Sequence, residues 1–240
     1  AHQLRVRLAD RSLVQTNPLL AVSSQLLTLA GSRVTATEVL AIANADPVRS
    51  RFGFTDDDLQ DITDWVREAN IRWGFDQEHR RPYDVDFVHN TWRFGLDRIL
   101  AGVALSDDSQ AWIQNTLPLD DVGSNSVELA GRLSEFCERL QHVVEALNGA
   151  YPLRDWLKTL TEGITSLTRV ADADAWQISQ LEREFNDVLA KAELAERNSD
   201  SREAGNALRM LSRIQHHRGQ PAEGLASLEA SLEKARSIQA

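Results

Sequence analysis

Leu129-Ala130-Gly131-Arg132-Leu133-Ser134-Glu135-Phe136-Cys137-Glu138-Arg139-Leu140, continued by Val143 and Leu147, decides the fold class. Leu129, Leu133, Phe136, Leu140, Val143 and Leu147 recur at steps of four and three, which sets them along one stripe of an α-helix. A leucine stripe can serve as a partner-binding face, but more often it is simply core, and it is read here as the inner side of a long helix. Cys137 falls at an apolar spacing with Leu133 and Leu140, and Arg139, one helical turn's only nearby cation, lies off its face. It is read as a small core residue rather than a reactive thiol. As the single cysteine of the chain it cannot form an internal disulfide, which suits a reducing cytoplasm.

Working outward, helical signals continue on both sides. Pro152 starts a helix through Trp156, Leu160, Ile164 and Leu167, and another runs from about Ala173 through Trp176, Leu181, Phe185 and Leu189. On the N-terminal side, Thr16-Asn17-Pro18 sets a capping side chain before a proline at the first helical position, and the apolar run that follows ends at Gly31. Thr35 with Glu38 forms a capping-box pattern. Pro47 opens a short turn ending near Gly53, and Thr55 caps a longer helix with Leu59, Ile62, Val66 and Ala69 inward. Thr91 caps a helix through Leu96, Ile99, Leu100 and Val103. Residues 71–90 are the least regular, with Gly74, Pro82 and the alternating piece Val85-Asp86-Phe87-Val88; polar loops are expected at 106–109 and 120–125. Leu4, Val6 and Leu8 alternate with Arg5 and Arg7, the period of a short strand. Residues 203–238 read as a helical hairpin turning at Arg218-Gly219-Gln220, where Leu208, Leu211, Gly219, Gly224 and Leu228 match one tetratricopeptide repeat. A single repeat is weak evidence, since stacking needs about three units. The expectation is a mainly α chain with one strand at the front.

Composition excludes several functions. With 36 acidic against 26 basic residues, the formal charge is −10, whereas grip on duplex phosphates normally needs a basic face. Between 71 and 98 the charges balance: Arg72, Arg80, Arg81, Arg93 and Arg98 against Asp76, Glu78, Asp84, Asp86 and Asp97. The chain is therefore not an independent DNA-binding domain, although a narrow contact surface inside a larger complex is compatible with it. No phosphate-binding loop precedes any of the three lysines (Lys158, Lys191, Lys234), and no His/Cys cluster has metal-ligand spacing. His216-His217 is poorly set for chelation, since helical neighbours diverge by about 100°. Asp56-Asp57-Asp58 suits a solvated helix first turn. No catalytic residue, metal site or cofactor is expected, and no apolar run reaches the roughly 18 residues of a membrane span.

The aromatic–arginine stretches Ile71-Arg72-Trp73-Gly74-Phe75-Asp76 and His89-Asn90-Thr91-Trp92-Arg93-Phe94-Gly95-Leu96 have two readings. Arg72, Trp73, Trp92 and Arg93 could flank a groove and stack on unpaired bases, worth about 1–3 kcal/mol per base. Alternatively the indoles anchor an irregular loop to the core, with Arg72 and Arg93 paired to acids such as Asp76 and Asp97. The acidic surroundings favour packing.

These stretches, with Leu8-Ala9-Asp10-Arg11-Ser12, Thr16-Asn17-Pro18, Arg98-Ile99-Leu100-Ala101-Gly102, Leu117-Pro118 and Leu153-Arg154-Asp155-Trp156-Leu157, resemble the RecC family, the gamma subunits of bacterial exodeoxyribonuclease V, over residues 4 to 192. The resemblance implies an inactivated superfamily-1 helicase fold, with 1–17 as the end of a motor-like (2A-like) strand segment and 18–192 as a helical 2B-like domain; it fades from about Glu193, and 193–240 keep the separate reading of a helical hairpin, repeat-like or divergent. It implies a non-catalytic scaffold and DNA-channel subunit of a cytoplasmic helicase–nuclease in double-strand-break repair and recombination. The implied partners are RecB-like and RecD-like subunits, and DNA through the assembled complex, with no membrane. ATP and Mg belong to that parent complex, not to this chain. The chain is expected to be cut from something longer. The competing reading, supported mainly by the tail, is a free-standing helical interaction module.

Overall fold

A computed structural model describes residues 16–104, 118–119, 126–149 and 151–197. The expected strand at 4–8, the loops at 106–109 and 120–125, and the hairpin at 203–238 lie outside the described residues. Within them the chain is mainly helical and has no strand. In order come α1 (Pro18–Ala30), α2 (Ala36–Ala43), α3 (Asp46–Phe52), α4 (Asp56–Glu68), α5 (Gln77–Arg80), α6 (Trp92–Ala104), α7 (Val127–Leu147), α8 (Leu153–Leu167) and α9 (Trp176–Arg197). No described helix is long and apolar enough to cross a membrane.

The N-terminal helices start where their capping chemistry says they should. Asn17 accepts from the amides of Leu19 and Leu20, and Pro18 costs α1 nothing because a first-turn N–H has no helical partner anyway. Thr35 and Glu38 form a complete capping box at α2, and Thr55 and Asp58 form another at α4. Gly53 ends α3 in the left-handed region, φ +67°. Thr91 Oγ1 accepts from the Phe94 amide at the head of α6. Two boundaries shift. Pro152 caps α8 instead of opening it, and Asp172–Asp174 form a 3-10 turn, so α9 begins at Trp176 rather than near Ala173.

The long helix α7 is the centre of the core. It buries all six stripe residues together with Ala130, Cys137 and Val144, and packs against α6, α8, α1 and α3. Phe136 meets Phe52 and Phe54 with ring centroids 5.4 and 6.0 Å apart, both edge-on. Gly163 lets α8 approach closely, since a Cβ there would stand 2.6 Å from Val143 Cγ1. Cys137 is buried, and desolvation pushes its thiol far above the range where a thiolate forms.

Polar side chains, half-buried or buried, lock the helices together. Arg132 of α7 donates to the carbonyls of Phe52 and Gly53 at the end of α3 and lies 3.4 Å from the Asp58 carboxylate of α4. Asn17, fully buried, uses its amide nitrogen as well as its oxygen. Nδ2 donates to the Gln177 carbonyl and to Gln180 Oε1, each at 3.0 Å, joining the start of α1 to the start of α9.

Candidate nucleic-acid interface

The two aromatic–arginine stretches meet in space through their backbones. Arg72 N–H donates to Asn90 O at 2.9 Å, Trp92 N–H to Gly74 O at 3.0 Å, and Arg93 N–H to Phe75 O at 2.9 Å. The loop before α2 joins them: Ala36 N–H donates to Arg72 O, and Gly74 N–H to the carbonyls of Arg33 and Val34. Thr35 and Trp73 form an isolated antiparallel bridge. Such crossings need unusual backbone turns, and Val34, Asn70, Asp84 and Asn90 all have φ near +60°. Gly74, at φ +76°, also lies in this region, and a Cβ there would press on Arg80 Cγ at 3.0 Å.

The four candidate residues divide. Trp92 is 1% exposed and belongs to the core; its Nε1 has no hydrogen-bond partner. Trp73 is half-buried and packs edge-on against Tyr83 at 5.5 Å, with the Arg33 guanidinium 5.7 Å from its ring. Arg72 and Arg93 are exposed. The expected ion pairs do not form. Arg72 Nε donates instead to Asn70 Oδ1 at 2.8 Å, whose own amide donates to Asn90. Asp76 is already used: it caps α5 by accepting from the His79 amide and accepts from Gln141 of α7. Arg93 stands at the rim of a groove lined by Glu135, Glu138, Arg139, His142 and Glu145, and Asp97 is exposed without it. Carboxylates outnumber guanidiniums along that groove, so it does not offer a track for phosphates.

Arg80 is the residue that sequence reasoning missed. It is 1% exposed, and its guanidinium is met by main-chain carbonyls: Trp73 O from Nε and Nη2, Phe87 O and His89 O from Nη1. Its Cζ lies 4.4 Å from the centroid of the Trp73 ring. Burial lowers its pKa. The alternating piece Val85–Val88 forms no strand, because the carbonyl of Phe87 is turned inward to this cation. Phe87 itself is 54% exposed.

The family model for the fourth domain of the RecBCD enzyme subunit RecC matches residues 16–204. RecBCD enzyme subunit RecC of Mycolicibacterium smegmatis is 66% identical over 192 residues, 80% of this chain and 18% of that protein. The same subunit of Mycobacterium tuberculosis is 66% identical over 193 residues, 80% of this chain and 17% of its own length. The Escherichia coli subunit is 29% identical over 185 residues, 77% of this chain and 16% of its own. The chain thus spans less than a fifth of the relatives it matches. Its two aromatic–arginine stretches are one interlocked unit within a helical domain, and the chain belongs to the RecC family, in the part that forms the family's fourth domain.

Proposed function

We propose that this chain is the helical, 2B-like portion of a non-catalytic RecC-type scaffold and DNA-channel subunit, working with RecB-like and RecD-like partners in a cytoplasmic, ATP-dependent exodeoxyribonuclease V. In that complex it serves double-strand-break repair and homologous recombination. The observation that carries the reading is how the family-signature residues are used. Trp92, Phe75 and Gly95 are spent on building one packed unit, clamped by Arg80 between the two stretches, while the cations Arg72 and Arg93 and part of Trp73 remain at its surface. A unit of this kind holds a shape and offers a narrow cationic rim. It contributes no nucleophile and no phosphate loop, so ATP and Mg are bound by the partners. Trp92 acts by packing, whereas Arg72 and Arg93 are the groups placed to touch a strand.

The test is reconstitution of the full-length subunit that carries this segment with its RecB-like and RecD-like partners. Arg72→Ala with Arg93→Ala should leave assembly and ATP turnover intact and slow unwinding. Unchanged unwinding removes the strand-contact role, and loss of assembly moves these residues to a subunit interface.

A further inference from the structure

The signature unit contains a cation that neither solvent nor a carboxylate compensates. A buried guanidinium is costly unless its N–H groups are satisfied, and at Arg80 main-chain carbonyls do this from two separate segments. Those segments flank Arg72. Trp73 follows it directly, and Asn90, next to His89, accepts the Arg72 amide. The Arg72 guanidinium is held in turn by Asn70, which bonds Asn90. Gly74 completes the fit, since a Cβ there would lie 3.0 Å from Arg80 Cγ. Arg80 itself is covered and cannot reach a ligand.

We propose that Arg80 is the positioning residue of the candidate strand-contact surface: by clamping the carbonyls of Trp73, Phe87 and His89 it fixes where Arg72 and the face of Trp73 stand. The significance of that surface rests on the reading under Proposed function; the clamp itself does not. The geometry demands a guanidinium. A planar fork with five donors spans carbonyls on two segments, whereas the single ammonium of a lysine keeps the charge but cannot bridge them in this arrangement.

The experiment compares Arg80→Lys and Arg80→Met in the 240-residue chain by amide hydrogen exchange. The amides of Arg72, Trp92 and Arg93 report the loop crossings, and those of Leu133, Phe136 and Leu140 report α7. Both variants should speed exchange at the loop amides about tenfold or more, with α7 unchanged, and should shift Trp73 emission relative to a Trp73→Phe control. Native protection in Arg80→Lys would overturn the proposal, because charge alone would then suffice. Equal acceleration at loops and α7, or failure of both variants to fold, would also overturn it by reducing Arg80 to a general stability role. In the reconstituted complex, Arg80→Lys should match the unwinding defect of Arg72→Ala. Loosened loops in Arg80→Lys alongside normal unwinding by Arg72→Ala would keep the clamp and discard the strand contact.

Discussion

Trp92 and Arg93 are adjacent in sequence and opposite in physical situation. Trp92 is buried with an unsatisfied indole N–H, and Arg93 is in solvent. Trp92→Ala should therefore cost about 3–5 kcal/mol, read as a lower urea midpoint or as insoluble protein. Trp92→Phe should cost clearly less, because it keeps most of the buried surface and removes a donor that has no acceptor. Arg93→Ala should stay within about 0.5 kcal/mol of the native chain. A Phe variant as damaged as the Ala variant would show that the indole N–H is satisfied after all. The burial of Trp92 was legible in the sequence, since the balanced charge around it favours packing over phosphate contact. Arg80 was not legible. In the sequence it is one more charge beside Glu78 and Arg81, and its acceptors are backbone carbonyls, which leave no side-chain pattern to find.

At the level of elements, reading was easiest where local chemistry is sufficient. Capping side chains and the period of α7 depend on neighbours within four residues, so α1, α2, α4 and α7 follow from sequence closely. The start of α9 did not, because the 3-10 turn at Asp172–Asp174 has the same composition as a helix first turn. The joint between α4 and α7 was also invisible, as Arg132 and Asp58 are 74 residues apart. It carries a pH dependence. Burial raises the Asp58 pKa, but hydrogen bonds with Thr55 and the Arg132 guanidinium outweigh it and hold the carboxyl below its ordinary 3.8. A depressed folded pKa means that the unfolded chain takes up the proton first. Asp58 therefore contributes stability above 3.8, and this contribution is lost as the pH falls through the lower folded value. Asp58→Asn should lower stability at neutral pH and flatten its decline in that acid window, measured by urea unfolding at stepped pH. An unaltered slope would mean that neither the Thr55 capping bonds nor the Arg132 guanidinium holds the Asp58 carboxylate in solution. Close packing makes a second demand here. Gly163→Val should destabilise the α7–α8 contact by at least about 1–3 kcal/mol, through forced displacement of Val143.

The whole molecule carries a net charge of −10, and the groove beside Arg93 sets three carboxylates against two guanidiniums. Binding of the 240-residue chain to duplex DNA should accordingly be weak and vanish near physiological salt, as checked by titrating salt in a fluorescence-anisotropy assay. Tight binding that survives about 0.15 M salt would mean that the phosphates are met by a surface outside the described residues. The mainly helical class was legible at this scale because periodicity repeats in every segment, whereas long-range joints such as Asn17 to α9 were not, since nothing in Thr16-Asn17-Pro18 beyond a cap announces a partner 160 residues away. That joint has a mechanical meaning. Tension applied between the start of α1 and the start of α9 would be borne in part by this one side-chain amide, across two helices that are 160 residues apart at that point. With optical-tweezer handles on the exposed neighbours at residues 16 and 178, the chain with Asn17 intact should hold as a short shackle and then release roughly 500 Å of slack when the clasp and core give way. Asn17→Ala should leave that slack the same and let it out at lower force, so that one amide acts as the domain's fuse.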